Sequence, residues 1–306
     1  MPFPYDALFD SGPDGAALAF TNVATSGNLD YDTALYAGGI DANQLEAAAI
    51  GARVVRRGGA LHYGEALSYF TAKTTYLGSL LSPRTAGPTD DVSAYVRFLA
   101  LRFGRWQSAA IDAVSDNLQT AYLAGGLLDW TLWWSFFRVA DYLATGDVIG
   151  TLPLIELGPV RLLPNLRFAL SPFGPEHALE LLAGYDGMQL GARVRTTFSG
   201  LASAWGAAVE AHGVRLGAGL EVGATVDVWS QPELVLEQRG VLDHRQGWGS
   251  ALGVELTWTL THRVGLSGKL AWKSRGYVTG LPLDEGVYGF LGLSIAFDDR
   301  PALLEP

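Results

Sequence analysis

Between Val214 and Val228 apolar and polar residues alternate over fifteen positions without an error. Val214, Leu216, Ala218, Leu220, Val222, Ala224, Val226 and Val228 fall on one side, and Arg215, Gly217, Gly219, Glu221, Gly223, Thr225 and Asp227 on the other. Side chains switch faces at every residue of a strand, so this stretch suits a strand with one apolar and one polar face and does not suit a helix. The pattern recurs from 252 to 260, where Leu252, Val254, Leu256, Trp258 and Leu260 oppose Gly253, Glu255, Thr257 and Thr259. It recurs again from Arg263 to Lys273, where Val264, Leu266, Leu270 and Trp272 oppose Arg263, Ser267, Lys269 and Lys273. Segments 159–170, 176–185, 187–198, 202–212 and 286–297 follow it less cleanly, which makes about eight strands in all. Asp186-Gly187, Gly213 and His262 read as tight reversals, whereas Ser171–Pro175, Ser199–Leu201, Ser230–Gly247 and Ser274–Asp284 are mostly longer. Short turns alternating with longer loops are the layout of a membrane β-barrel, and eight tilted strands suffice to close one.

A soluble sandwich also alternates, so the chemistry of the polar face has to decide. That face carries Arg161, Arg167, Arg193, Arg195, Arg215, Arg263, Lys269 and Lys273 against Glu180, Glu210, Glu221, Asp227 and Glu255. Interspersed opposite charges suit a packed lumen, in which each buried charge needs a partner. The expected lumen network comprises Arg193, Arg195, Arg215, Glu221, Asp227, Glu255, Arg263 and Lys269. The 38 Gly and nine Trp agree with glycine-spaced, aromatic-rimmed strands. The absence of cysteine fits an oxidising envelope compartment. A net charge of −10 excludes nucleic acid as a partner. Residues 1–6 have neither a basic region nor an apolar core, so an envelope protein is read here in its mature form. The nearest approach to a spanning helix, Leu127 to Leu143, is interrupted by Asp129, Arg138 and Asp141.

The last strand, with Val287, Gly289, Leu291, Leu293 and Ile295 leading to an aromatic Phe297, resembles the C-terminal strand signature of outer-membrane β-barrel proteins. The resemblance is generic, covers residues 157–297, and implies insertion by the outer-membrane assembly machinery but no activity. It departs from the signature in that Asp298 to Pro306 follow the aromatic residue.

The first half has a different period. After a polar, Gly-rich start, helical spacing occupies 41–56, 60–81, 90–104, 106–123 and 127–145, with breaks at Arg57-Gly58-Gly59, Ser82–Pro88 and Gly125-Gly126. Gly38-Gly39 reads as a turn ahead of a helix at Asp41, and Thr89 or Asp90 as a cap of the third helix. The fold expected is therefore α+β: an irregular segment 1–34, a mainly helical domain 35–156, an antiparallel membrane β-barrel of about eight strands over 157–297, and a tail 298–306. Five helices do not fit inside eight strands, so they are expected beside or below the barrel, unless a segment such as Ala16–Phe20 widens it. The run with Trp130, Trp133, Trp134, Phe136 and Phe137 and a narrow stripe of Thr131, Ser135 and Arg138 suits either a membrane interface or the core of the helical domain.

Chemistry-bearing residues are sparse. His62, Glu65, Tyr69 and Lys73 share one stripe of a helix, and Asp112, Asp116 and Gln119 form another. A histidine beside a carboxylate is what general-base chemistry requires, which makes His62, Glu65, Lys73 and Asp116 the candidate catalytic set. Solvated helix faces are the plainer reading of both stripes. No serine-elbow motif, phosphate loop or two-histidine zinc motif is present, and no metal or cofactor is implied. Among the other histidines only His244 lies in a long loop, where small barrels with lipid-modifying activity hold theirs. The expected function is an outer-membrane barrel anchor whose helical domain binds outer-membrane lipid or an envelope protein partner. The alternatives are a membrane-embedded lipid hydrolase or acyl transferase, or a solute channel if the barrel is wider than eight strands.

Overall fold

The computed structural model describes residues 28–77, 91–104, 108–197, 201–217, 219–234, 245–261 and 264–295, the side chains of 294 and 295 excepted. The described helices are α1 (Leu29–Arg56), α2 (Tyr63–Thr74), α3 (Asp91–Arg102), α4 (Ser108–Leu128) and α5 (Trp130–Thr145). The short strands β1 (Ala60–His62) and β2 (Ile149–Thr151) pair with each other. An antiparallel meander of nine strands follows: β3 (Ile155–Leu157), β4 (Val160–Ser171), β5 (Gly174–Tyr185), β6 (Met188–Thr197), β7 (Trp205–Gly217), β8 (Leu220–Pro232), β9 (Gln246–Thr259), β10 (Val264–Lys273) and β11 (Gly286–Ile295). The fold is α+β with the helices N-terminal. Among the described residues the sheet is open, running in order from β3 to β11. The ninth strand, β3, is a three-residue addition at the edge.

Local chemistry accounts for the departures from the sequence expectation. α1 begins well before Asp41, because Asn28 accepts hydrogen bonds from the N–H groups of Asp30 and Tyr31 and acidic residues occupy the first turn. Gly38 and Gly39 lie inside that helix instead of forming a turn ahead of it. Gly125 and Gly126 likewise lie inside α4, and the break falls at Asp129, which caps α5 through the N–H groups of Thr131 and Leu132. The expected caps at Thr89 and Asp90, the turn at His262, His244, and the aromatic end at Phe297 lie outside the described residues.

Gly213 is not a reversal. The β7–β8 pairing skips one residue between Ala211 and Val214, with Gly213 at φ +72°, which makes a bulge, and the chain turns only between Gly217 and Leu220. Pro172 and Phe173 form a two-residue link between β4 and β5 where a longer loop was expected. Asp186 and Gly187, both at positive φ, make the expected tight turn.

β4 is the edge at which the two halves meet. β3 covers only Val160 to Leu162, and side chains from the helices and one loop satisfy much of the remaining backbone. Trp130 Nε1 donates to the Pro164 carbonyl, Lys73 Nζ to Leu166, and the Tyr277 hydroxyl to Leu170, while the Leu170 N–H donates to Asp41. Proline at 164 suits an edge, because no N–H is needed there. Two apolar clusters join the halves: Tyr95, Leu99, Leu118 and Tyr122 pack with Phe168 and Leu170, and Ile50, Val54, Leu61 and Tyr69 pack with Leu163 and Leu182.

Candidate functional site

Two neighbouring cross-strand ladders define the faces of the sheet. Leu181, Ala192, Val209, Val226, Leu252, Trp272 and Val287 stand opposite one another in succession across seven strands. Apart from the small Ala192, each is 40–66% exposed. One residue further along, Glu180, Arg193, Ala208, Asp227, Ala251 and Lys273 form the next ladder. Glu180, Asp227 and Lys273 are each at most 2% exposed. The apolar face of the sheet is thus the uncovered one and the charged face is the buried one.

α1 covers part of the charged face. Its small residues Ala47, Gly51 and Ala52 allow a close approach, and on β5 a Cβ at Gly184 would stand 2.7 Å from the Val55 carbonyl oxygen. Between α1 and the sheet lies a cleft of about 550 Å³. Its charged lining consists of Arg53, Arg56, Arg167, Arg193 and Lys269 with Glu180, Glu210, Glu221, Asp227 and Glu255, joined by His212. Five cations and His212 stand against five anions, so opposite charges are nearly balanced in the cleft.

The deeper part is a salt-bridge network. Arg195 holds both oxygens of Asp227, at 2.6 and 2.8 Å, and Arg193 reaches the same carboxylate at 3.3 Å. Glu180 accepts from Arg167 at 2.8 Å and from the Asn165 amide at 3.2 Å, and Glu176 lies 3.7 Å from Arg195. Nearer the short turns, His212 stands 3.8 Å from Glu210 and 3.5 Å from Glu255, and Arg215 meets Glu221 at 3.9 Å. Lys269 lines the same cleft, and Arg263 lies outside the described residues. Of the expected lumen residues, the structure joins Arg193, Arg195 and Asp227 in one cluster and pairs Arg215 with Glu221 in another. Sequence reasoning missed Asn165 and Glu176 as members, although strand alternation puts both on the charged face.

No family model matches the chain, and no curated protein matches it.

The expected catalytic stripe divides. His62 caps α2, accepting the Gly64 N–H at Nδ1, while Glu65 approaches the His62 N–H and pairs with Arg53 and Arg57. Lys73, three turns of helix and about 16 Å from His62, forms a buried ion pair with Asp129 at 2.9 Å. Burial pulls the Lys73 ammonium below its ordinary range, and Asp129 opposes that shift. Asp112 and Asp116 are exposed on α4. Tyr69 is buried, its hydroxyl 2.5 Å from Thr131 Oγ1 and 3.1 Å from the Asn165 side-chain oxygen. The described residues therefore connect Lys73, Asp129, Thr131, Tyr69, Asn165 and Glu180 in one polar chain through the β4 edge. Asp129 stands in the sequence only as an interruption of an apolar run, and its position as a cap was the available signal. Among the described residues no group of three or more His, Cys, Asp or Glu side chains is arranged to hold a metal ion.

Proposed function

We propose that this chain is an integral outer-membrane protein. In this reading β4–β11 form the lipid-facing wall of a barrel, α1 fills part of its charged interior, and the helical half completes the β4 side and binds lipid or an envelope partner. The observation that carries the reading is the pair of ladders, an exposed apolar row directly beside a buried charged row. Water would reverse that arrangement, because exposing apolar surface and burying charge are both unfavourable in it, whereas a bilayer favours it. The strands are long enough, since β4–β11 run to 10–14 residues and a tilted spanning strand needs about 9–11. α5 has the same inverted pattern: Thr131, Ser135 and Arg138 are buried, and Trp133, Trp134, Phe136 and Phe137 are exposed. Among the described residues no helix is long and apolar enough to cross a membrane, so in this reading the strands make the crossing.

The hydrolase or transferase alternative has less support, because His62 is occupied as a helix cap and Lys73 as half of an ion pair. The channel alternative meets α1 lying across the charged face. Fractionation of expressing cells tests the proposal. The chain is expected to sediment with outer membranes, to resist alkaline carbonate, and to be released only by detergent. Recovery as a monodisperse monomer in plain buffer contradicts it.

A further inference from the structure

A second cavity, of about 290 Å³, lies between α1, α2, α4, α5 and β4, lined on β4 by Leu166 and Phe168, whereas Arg167 between them lines the charged cleft. Phe70, Leu132, Trp133, Phe136, Leu166 and Phe168 form its apolar walls. The size is near the lower end for small-molecule pockets, about 300 Å³. Leu127, Trp133 and Phe136 at the cavity are 44–68% exposed, so a ligand would enter through apolar surface.

The polar end is built from Gln44, Lys73 and Asp129. Lys73 and Asp129 neutralise each other, so a charged ligand would be buried there without a counterion. Two of the three Lys73 N–H donors go to Asp129 and the Leu166 carbonyl, which leaves one. Gln44 is only 2% exposed, and its side-chain Oε1 has no hydrogen-bond partner among the described residues. A buried acceptor without a donor is costly and calls for a group that supplies one.

We propose that this cavity binds a single-chain, uncharged lipid whose head carries a hydroxyl group, the hydroxyl donating to Gln44 Oε1 and accepting from Lys73 Nζ while the acyl chain lies along Phe70, Leu132, Trp133 and Phe136. Monoacylglycerol and a protonated fatty acid share this chemistry. The inference rests on the membrane reading and gives the helical half its ligand class.

The test is native mass spectrometry of the full chain released from detergent micelles with 1-oleoylglycerol, oleic acid or methyl oleate. One oleoylglycerol is expected to remain on each chain, with oleic acid retained at acidic and not at alkaline pH, and methyl oleate, which has no donor, retained at least about tenfold less. Retention of oleic acid alone assigns the fatty acid as ligand, and retention of oleoylglycerol alone assigns the monoacylglycerol. Gln44→Leu removes the unmet acceptor at similar volume and is expected to reduce both ligands to the methyl oleate level. Leu166→Trp fills the cavity and is expected to abolish retention, and Gln44→Leu decides alone if that variant fails to fold. Equal retention of methyl oleate, or undiminished retention by Gln44→Leu, overturns the proposal. A chain that fractionates with membranes and retains no lipid overturns this site alone. A chain soluble in plain buffer that still retains oleoylglycerol supports the site and overturns the membrane reading.

Discussion

At the scale of single residues, the buried polar groups show how tightly the halves are joined. Asp41 on α1 accepts the Leu170 N–H at 3.1 Å and meets the Tyr277 hydroxyl, so one carboxyl links a helix, a strand end and a loop. Burial pushes this carboxyl up to about 7, against the opposing hydrogen bonds from Tyr277 and Leu170. In the unfolded chain the same group loses its proton near pH ~4. Between those values the folded state binds more protons, so the contribution of Asp41 is fully present below pH ~4 and is lost as pH rises to about 7. Asp41→Asn is expected to remove that slope and to raise the melting temperature relative to the native chain at pH 8. The amide can accept from Leu170 and donate to Tyr277, leaving the single Tyr277 hydroxyl proton for the Leu170 carbonyl at 2.8 Å. Thermal melts of both proteins across pH 4–8 check this, and parallel curves would contradict it. Little of this was legible in the sequence. Asp41, Lys73 and Asp129 are polar residues in helical segments, and only the arrival of β4 and a distant loop turns them into buried partners. The His62 stripe was legible as a stripe, but periodicity cannot distinguish a helix cap from a general base.

At the scale of elements, the eight long strands are legible because a sheet with unlike faces imposes a period of two on every strand. The hairpin between β7 and β8 is not, although it interrupts the most regular stretch of the chain. The bulge at Gly213 changes which parity faces outward, so Val214 and Leu216 at the end of β7 share even numbering with Leu220 to Val228 on β8. The alternation consequently runs through the turn without a visible fault. The helix starts were misplaced for a related reason: paired glycines resemble breaks, whereas α1 and α4 use them inside the helix. The face assignment makes a sharp prediction on β9, where Leu256 is 49% exposed and Thr257 faces the charged cleft. Leu256→Arg is expected to cost about 2–4 kcal/mol of insertion stability if it lies near the bilayer midplane, and Thr257→Gln much less. Urea titration of both variants refolded into liposomes reads the difference. Equal costs would mean that the faces carry no membrane asymmetry.

For the whole molecule, the proposed function requires that the uncovered apolar face of the sheet meet lipid. The division into a helical first half and a strand-rich second half is visible from the change of period, but the way they combine is not. A closed ring of strands was the simplest expectation, whereas the described strands form an open meander whose β4 edge is satisfied by Trp130, Lys73 and Tyr277. Side chains of the helices and of the loop before β11 thus do at this edge what a neighbouring strand would have done, and local patterning carries no record of that substitution. The chain has no native cysteine, so a single introduced one gives a unique labelling site. The most direct measurement is electron paramagnetic resonance of nitroxide-labelled Leu252→Cys, Leu256→Cys and Thr257→Cys proteins in liposomes, comparing collisions with oxygen, which concentrates in lipid, and with a water-soluble nickel chelate. Labels at 252 and 256 are expected to collide mainly with oxygen and the label at 257 is not; nickel access at 252 and 256 equal to that of a label in free solution would contradict a lipid-facing sheet.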